Sequence, residues 1–233
     1  MRRNSFFCAA AALCCAFLLS SCVPSITERT QADETLAVND TPYTWVFNYG
    51  EDMQLPELPT GCEATAAATL LRMNGVPVTK TEMADALPKS DTDFVNSFLG
   101  DPYSETGWTC SVPCITETIN GFLESEEDLA AVELTGTSLA DLPTPCTVWV
   151  SIDLADVAEP VRMQDGYGLF RNPHCVTVTA VGETEVACID PLRGDTTYER
   201  EQFEKVFNAM GMQSVYITDI LTALQLRDER GVG

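Results

Sequence analysis

Segments with helical patterning come first in this sequence, and segments with strand patterning follow. A helix is predicted at residues 62–73, where small and apolar residues recur at helical spacing and an Asn-Gly pair ends the pattern. A second helix is predicted from Thr79, where TKTE forms a capping box, to just before Pro88. A third is predicted at about residues 114–123, after a proline that a first helical turn tolerates.

Runs rich in β-branched residues fill the second half of the chain. The predicted strands are CTVWVSID at 146–153, HCVTVTAV at 174–181, EVACID at 185–190 and QSVYIT at 213–218. A short helix is predicted at about 200–210, between the last two strands. Helices followed by strands favour an α+β fold in which N-terminal helices pack on an antiparallel sheet.

Length and charge limit the class of protein. With 233 residues, of which 45% are hydrophobic, the chain can bury one good-sized core, so we expect a single globular domain. The formal net charge is −22, from 35 acidic and 13 basic residues. Nucleic-acid binding needs clustered Lys and Arg, so this charge argues against a nucleic-acid partner.

The N-terminus has the pattern of an export signal. MRRNS is basic, FFCAAAALCCAFLL is apolar but short for a membrane span, and LSSC at 19–22 supplies small residues before a cut site. A short N-terminal membrane anchor is the alternative. LSSC also resembles the lipobox of bacterial lipoproteins, which implies lipidation of Cys22 and anchoring by acyl chains on the outer face of a bacterial cell membrane.

Four regions are predicted along the chain. Residues 1–21 form the lipoprotein signal peptide, and residues 22–42 form a polar, flexible tether. The folded domain covers residues 43–220, and residues 221–233 form a C-terminal tail.

The cysteines permit several states. If residues 1–21 are removed and Cys22 is acylated, six of the ten cysteines remain: Cys62, Cys110, Cys114, Cys146, Cys175 and Cys188. An exported protein can pair them, and the sequence leaves open whether they form disulfides or stay as buried thiols. Structural zinc is disfavoured, because the chain has one histidine and no second cysteine pair near Cys110 and Cys114. We expect no metal and no cofactor.

Cys62 lies where a turn meets the first predicted helix, in LPTGCEATAAATLL. The unpaired amides of a first helical turn can lower the pKa of a thiol and hold a developing oxyanion. A nucleophilic cysteine also needs a base, and His174 is the only histidine in the chain. Taken singly, a structural cysteine and an ordinary buried histidine are the alternatives.

Asp190 is the candidate for orienting His174. It ends the strand after the turn at residues 182–184, so an antiparallel hairpin returns it towards His174. A strict two-residue loop would place the two residues on opposite faces, so we predict a loop of three or more residues, or a bulge. Taken alone, an aspartate before a proline is also typical of a turn.

These residues carry a resemblance to a known family. Gln54, LPELPTGCEAT around Cys62, HCVTVTAV at His174 and IDPL at Asp190 resemble the C39-like cysteine peptidases of the papain-like superfamily, over about residues 43–219. The resemblance implies a papain-like fold with Cys62 as nucleophile, His174 as general base and then acid, and Asp190 as orienting carboxylate. It also implies that the Gln54 amide stabilises the oxyanion.

Two expectations concern the surroundings of these residues. Cys175 follows His174 in a strand, where neighbours point to opposite faces, so we expect it to face away from Cys62. Residues 154–173 form a long, glycine-containing connection just before His174, and we expect a wall or lid over the cleft.

The sequence therefore predicts a membrane-tethered, extracytoplasmic cysteine peptidase with a Cys-His-Asp triad. The expected partners are a peptide or protein substrate and a membrane bound through the lipid anchor, and the oligomeric state stays open. Two alternatives remain: a catalytically silent surface-binding lipoprotein of the same fold, and an amidase that acts on cell-wall peptides.

Overall fold

The structure is a computed structural model, and it describes residues 36–38, 41–43, 45–126 and 128–231. The predicted signal peptide and Cys22 lie outside the described residues, as does most of the predicted tether. Two short strands, β1 (Leu36–Val38) and β2 (Thr41–Tyr43), pair in antiparallel fashion at the end of that region.

The main sheet, as far as the described residues show it, has six strands, and each neighbouring pair is antiparallel. Its spatial order is β11, β10, β9, β6, β12, β5. The bounds of these strands are β5 (Leu129–Glu133), β6 (Cys146–Ser151), β9 (Pro173–Val181), β10 (Glu185–Asp190), β11 (Gly194–Glu199) and β12 (Ser214–Asp219).

Helices cover both faces of this sheet. The helices preceding it are α1 (Tyr49–Asp52), α2 (Cys62–Met73), α3 (Lys80–Ala86) and α4 (Val112–Leu123). Side chains of α2, α3 and α4 share one hydrophobic core with Trp149 and Cys175. On the opposite face, α5 (Arg200–Ala209) packs on the alternate residues Val148 and Val176. Because neighbouring residues of a strand point to opposite faces of the sheet, β6 and β9 contribute side chains to both cores.

The alanine-rich sequence of α2 allows the helix to lie close to the sheet. Ala64, Ala67 and Ala68 are fully buried, and small side chains let the two backbones approach. The hydroxyls of Thr147 and Thr177 then reach the Ala66 carbonyl oxygen, at 3.4 and 3.0 Å. This contact fixes the start of α2 relative to β9, the strand that carries His174.

The predicted fold class is confirmed, and so are the main elements. Helix α2 has the predicted bounds, Thr79 caps α3 through the predicted capping box, and β10 covers the predicted residues. Helix α4 begins two residues earlier than predicted, at Val112.

Several elements were not predicted from the sequence. They are α1, β5, β11, the short strands β3 (Lys89–Ser90), β4 (Phe98–Leu99), β7 (Arg162–Gln164) and β8 (Tyr167–Leu169), and α6 (Ile220–Glu229). Most of these are short or lack a clear apolar period. Most of α6 falls in the predicted C-terminal tail, and its Ala223 is buried in the core beside α5. No helix in the described ranges has both the length and the apolar character needed to cross a membrane.

Candidate active site

The loop before α2 places Cys62 at the first position of that helix. Gly61 precedes the helix, and a Cβ there would lie 2.7 Å from Leu58 Cβ, so the close turn favours glycine. The Thr60 hydroxyl donates to the Ser104 carbonyl oxygen at 3.0 Å. The Thr65 amide donates to Gly61 O at 3.0 Å, which begins the helical pattern. Cys62 is only 6% exposed at this junction.

His174 and Asp190 meet across the hairpin of β9 and β10. The imidazole Nε2 lies 2.9 Å from Asp190 Oδ1. The loop between the strands has three residues, 182–184, and the register shifts between Ala187 and Cys188. The prediction of a longer loop or a bulge is confirmed, since both are present.

The second imidazole nitrogen is available for chemistry. His174 is 2% exposed, and its Nδ1 has no hydrogen-bond partner within the part of the chain that the structure describes. A buried polar nitrogen without a partner is costly, so such atoms in a folded protein call for an explanation. Because Asp190 fixes the ring through Nε2, Nδ1 is the atom that can exchange a proton with another group.

Asp190 is held by several donors. It accepts hydrogen bonds from the Tyr198 hydroxyl and, at 2.7 Å, from the Leu192 amide. Burial acts to raise the pKa of its carboxyl group, but the hydrogen bonds and charge of His174, with those of Tyr198 and Leu192, hold this pKa below its ordinary value. Asp190 therefore stays ionised beside the imidazole.

Glu63, the residue after the candidate nucleophile, contacts the thiol directly. Cys62 Sγ donates to Glu63 Oε2 at 3.2 Å, and the Thr109 hydroxyl donates to Oε1. Glu63 is 0% exposed. Burial raises the pKa of its carboxyl group, while the Thr109 hydrogen bond opposes that rise.

The pKa of Cys62 differs from the sequence expectation. A position at a helix N-terminus predicts a lowered pKa, but the pKa of this thiol is raised well above its ordinary value. Burial is the largest cause, and the Glu63 carboxylate is the next. The expectation was wrong for the arrangement seen here, because it considered the helix amides and neither the burial of the thiol nor the carboxylate beside it.

Cys175 lies on the same side of the sheet as Cys62, so the expectation that it faces away was also wrong. Both cysteines belong to the core under α2, and the charge of a Cys175 thiolate would raise the pKa of Cys62. Cys175 does point away from the face that carries Val176.

Gln54 supports the loop that precedes Cys62. Its side-chain Nε2 donates to Leu58 O at 3.1 Å and to Pro59 O at 3.0 Å. Its backbone amide donates to Pro191 O at 2.8 Å, next to Asp190. Gln54 thus joins the loop before α2 to the residue that follows β10, and both side-chain amide protons are engaged in this arrangement.

The described cysteines are free thiols, and all are buried: Cys62, Cys110, Cys114, Cys146, Cys175 and Cys188. Within residues 45–126 and 128–231 no three His, Cys, Asp or Glu side chains are grouped as a metal site would require.

The comparisons with known proteins agree with this geometry. A model of the Peptidase_C39 like family matches residues 39–215, which is most of the chain and includes Cys62, His174 and Asp190. The chain belongs to the Peptidase_C39-like family. This membership and the antiparallel α+β architecture place it among proteins with the papain-like peptidase fold.

Solved structures resemble this C39-like family member to different degrees. One, from Bacillus anthracis, is provisionally described as a C39-like peptidase; it has 27% sequence identity and a TM-score of 0.60, over 70% of this chain and 90% of the other. Another is a double glycine motif protease from an AMS/PCAT transporter in complex with its leader peptide, with 13% identity and a TM-score of 0.44, over 72% and 89% of the two chains. No curated protein matches the sequence.

Sequence reasoning on this C39-like chain missed three residues of the site: Glu63, Thr109 and Tyr198. Glu63 stands in the GCE motif, and its signal is a charged residue in a helix whose other positions are nearly all apolar or small. Thr109 and Tyr198 carry no local signal, because their contacts with Glu63 and Asp190 come from tertiary packing.

The segment between β6 and β9 in this family member is packed against the domain and is not a free loop, and its role as a wall or lid over the cleft stays a prediction. It contains the β7–β8 hairpin. The Arg162 guanidinium lies 5.0 Å from the centre of the Phe94 ring, and the Trp108 indole donates to Phe170 O at 2.9 Å. These contacts fix the segment against the chain that leads into α4.

Proposed function

We propose that this chain is a cysteine peptidase that hydrolyses peptide bonds with Cys62 as nucleophile, His174 as general base and acid, and Asp190 as orienting carboxylate. The observation that carries the proposal is the state of His174. Its Nε2 is held by Asp190, and its buried Nδ1 has no partner among the described residues. This arrangement matches a general base that is oriented through one ring nitrogen and can accept a proton on the other.

The chemistry begins when Cys62 Sγ turns from Glu63 towards His174. The thiol proton passes to Nδ1, and the thiolate attacks the peptide carbonyl carbon. The resulting oxyanion accepts a hydrogen bond from the Cys62 amide at the start of α2. A Gln54 amide proton can join it only after leaving Leu58 O or Pro59 O.

The remaining steps return the enzyme to its starting state. The imidazolium of His174 donates its proton to the leaving amine, and the peptide bond breaks to give a thioester on Cys62. His174 then removes a proton from water, and the hydroxide that forms attacks the thioester. The acid product leaves, and the thiol regains its proton.

A catalytically silent binding protein of the same fold is the second candidate. The observation in its favour is the buried, carboxylate-paired thiol, whose raised pKa opposes a thiolate. Iodoacetamide labelling of the full chain separates the two candidates. The peptidase proposal predicts that Cys62 is labelled at neutral pH and that His174→Ala, while still folded, slows the labelling about tenfold or more. Equal rates of Cys62 labelling in the wild-type chain and in His174→Ala would favour the catalytically silent binding protein.

Export and lipid anchoring are proposed from the sequence alone. The support is the basic start, the apolar run and LSSC before Cys22. A lipid anchor on Cys22 would keep the peptidase at the outer face of the cell membrane. The test is the mass of the mature N-terminus, and an unmodified chain that starts at any residue other than Cys22 would exclude the anchor.

A further inference from the structure

Glu63 occupies an unusual place for a charged residue. It is fully buried in the first turn of α2, among small and apolar neighbours. A buried carboxyl group is costly unless its oxygens are hydrogen-bonded. One oxygen is used by the Thr109 hydroxyl and the other by the Cys62 thiol, so the thiol proton is part of what satisfies Glu63.

This contact competes with the proton transfer that catalysis needs. Cys62 has one thiol proton, and in the structure it points to Glu63 Oε2. The receiving atom, His174 Nδ1, has no partner among the described residues. The two acceptors are therefore alternatives for one proton, and the structure shows Glu63 holding it.

The surroundings of Glu63 and Cys62 favour neutral thiols, and a charged Cys175 would raise the pKa of Cys62 as well. Cys175 on β9 and Cys110 before α4 are buried thiols of high pKa, and the Glu63 charge contributes to both. The Asp190 charge also acts on Cys175. The Cys175 backbone acts in the opposite direction on Cys62 through a hydrogen bond, and the charge of His174 acts on Glu63, whose pKa it lowers.

We propose, on the basis of the peptidase function above, that Glu63 is a positioning residue that holds Cys62 as a protonated resting thiol, and that catalysis requires Sγ to leave Oε2 of Glu63 for Nδ1 of His174. Once the proton has moved, the Glu63 carboxylate lies near the new imidazolium and stabilises it. The carboxylate thus restrains the resting thiol and supports the ion pair that replaces it.

The test is the pH profile of Cys62 alkylation by iodoacetamide, measured on the full chain by mass spectrometry of the peptide that contains Cys62. Glu63→Gln keeps the shape of the side chain and removes the charge. A lower pKa of the thiol is then expected, so the profile should shift to lower pH and the rate at neutral pH should rise about tenfold or more.

A matched charge-neutralising variant is the control. Glu183→Gln makes the same substitution in the exposed turn between β9 and β10, away from Cys62. It should reproduce the wild-type profile. A Glu63→Gln profile that overlays the wild-type profile, or that shows slower alkylation, would overturn the proposal.

The outcome is also separable from that of the peptidase proposal. If wild-type labelling depends on His174 but not on Glu63, only the role of Glu63 fails. If labelling depends on Glu63 and not on His174, Glu63 is the base and both proposals fail. If Glu63→Gln unfolds, so that Cys110 and Cys146 label as fast as Cys62, the wild-type profile decides, and a midpoint near neutral pH would contradict a restrained thiol.

Discussion

Asp190 combines a contribution to stability with its proposed role beside His174. It is fully buried and gathers donors from His174, Tyr198 and Leu192. Its pKa is lowered in the folded state. The stabilisation is therefore present above the unfolded pKa of about 3.9 and is lost as the pH falls through the lower folded value.

Comparison of Asp190→Ala with Tyr198→Phe separates the contribution to stability from the proposed role beside His174. We expect Asp190→Ala to lower kcat/KM for peptide hydrolysis about 1,000-fold or more, because His174 loses the group that fixes its ring. It should also lower the free energy of unfolding by about 1–3 kcal/mol, since buried donors lose their acceptor. Tyr198→Phe removes a hydrogen bond to Oδ2 and leaves the His174 contact with Oδ1. Tyr198→Phe should lower the free energy of unfolding by about 1 kcal/mol and should lower kcat/KM much less than Asp190→Ala does. Equal losses of kcat/KM in the two variants would contradict an orienting role of Asp190.

At the residue scale, the sequence predicts which residues form the candidate site better than it predicts the surroundings of their side chains. Cys62 and the single histidine stand out as residue types, and the hairpin length brings Asp190 to His174. The pKa of Cys62 could not be predicted, because it depends on burial and on the direction in which the Glu63 side chain points. Those are properties of the packed site and leave no mark in local spacing.

The loop before α2 shows how elements set the site. Thr60 contacts the 101–104 segment, and Gly107 packs against both of these regions. A Cβ on Gly107 would overlap Asp101 O and Thr60 Oγ1. The position of Cys62 therefore depends on a close backbone approach about 45 residues further along the chain, a separation that the sequence numbering gives directly.

Two glycine substitutions test that dependence. Gly107→Ala should lower the free energy of unfolding by about 1–3 kcal/mol, because the Thr60 loop must shift, and should lower kcat with it. Gly121→Ala is the matched control, since it lies in α4 with open space around the new methyl group. That change should raise stability by about 0.5–1 kcal/mol. Thermal or denaturant unfolding measures both, and a neutral Gly107→Ala would show that the loop does not need this contact.

At the element scale, strong periodic signals in the sequence were enough to predict a helix or strand, and weak signals were not. The capping box of α3 and the alanine pattern of α2 define these helices locally. Strand β11 reads GDTTYE, which has little apolar character, and it forms because β10 offers it a free edge. Such an element depends on its neighbour and is not visible in its own sequence.

At the scale of the whole molecule, the domain is a six-stranded sheet within the described residues, with α2 and α5 on opposite faces. The helix that carries Cys62 and the hairpin that carries His174 and Asp190 are separate units, joined by packing between α2 and β9. Family membership accounts for this architecture.

Peptide hydrolysis by Cys62 is tested most directly by cleavage of a diverse peptide library by the full chain, with products identified by mass spectrometry. Isolated cell wall is offered in parallel. We expect cleaved library peptides with wild type and with Cys175→Ala, and loss of cleavage by about 1,000-fold or more with Cys62→Ala. Cleavage confined to the wall material would identify an amidase, and library cleavage that survives Cys62→Ala would contradict hydrolysis by Cys62.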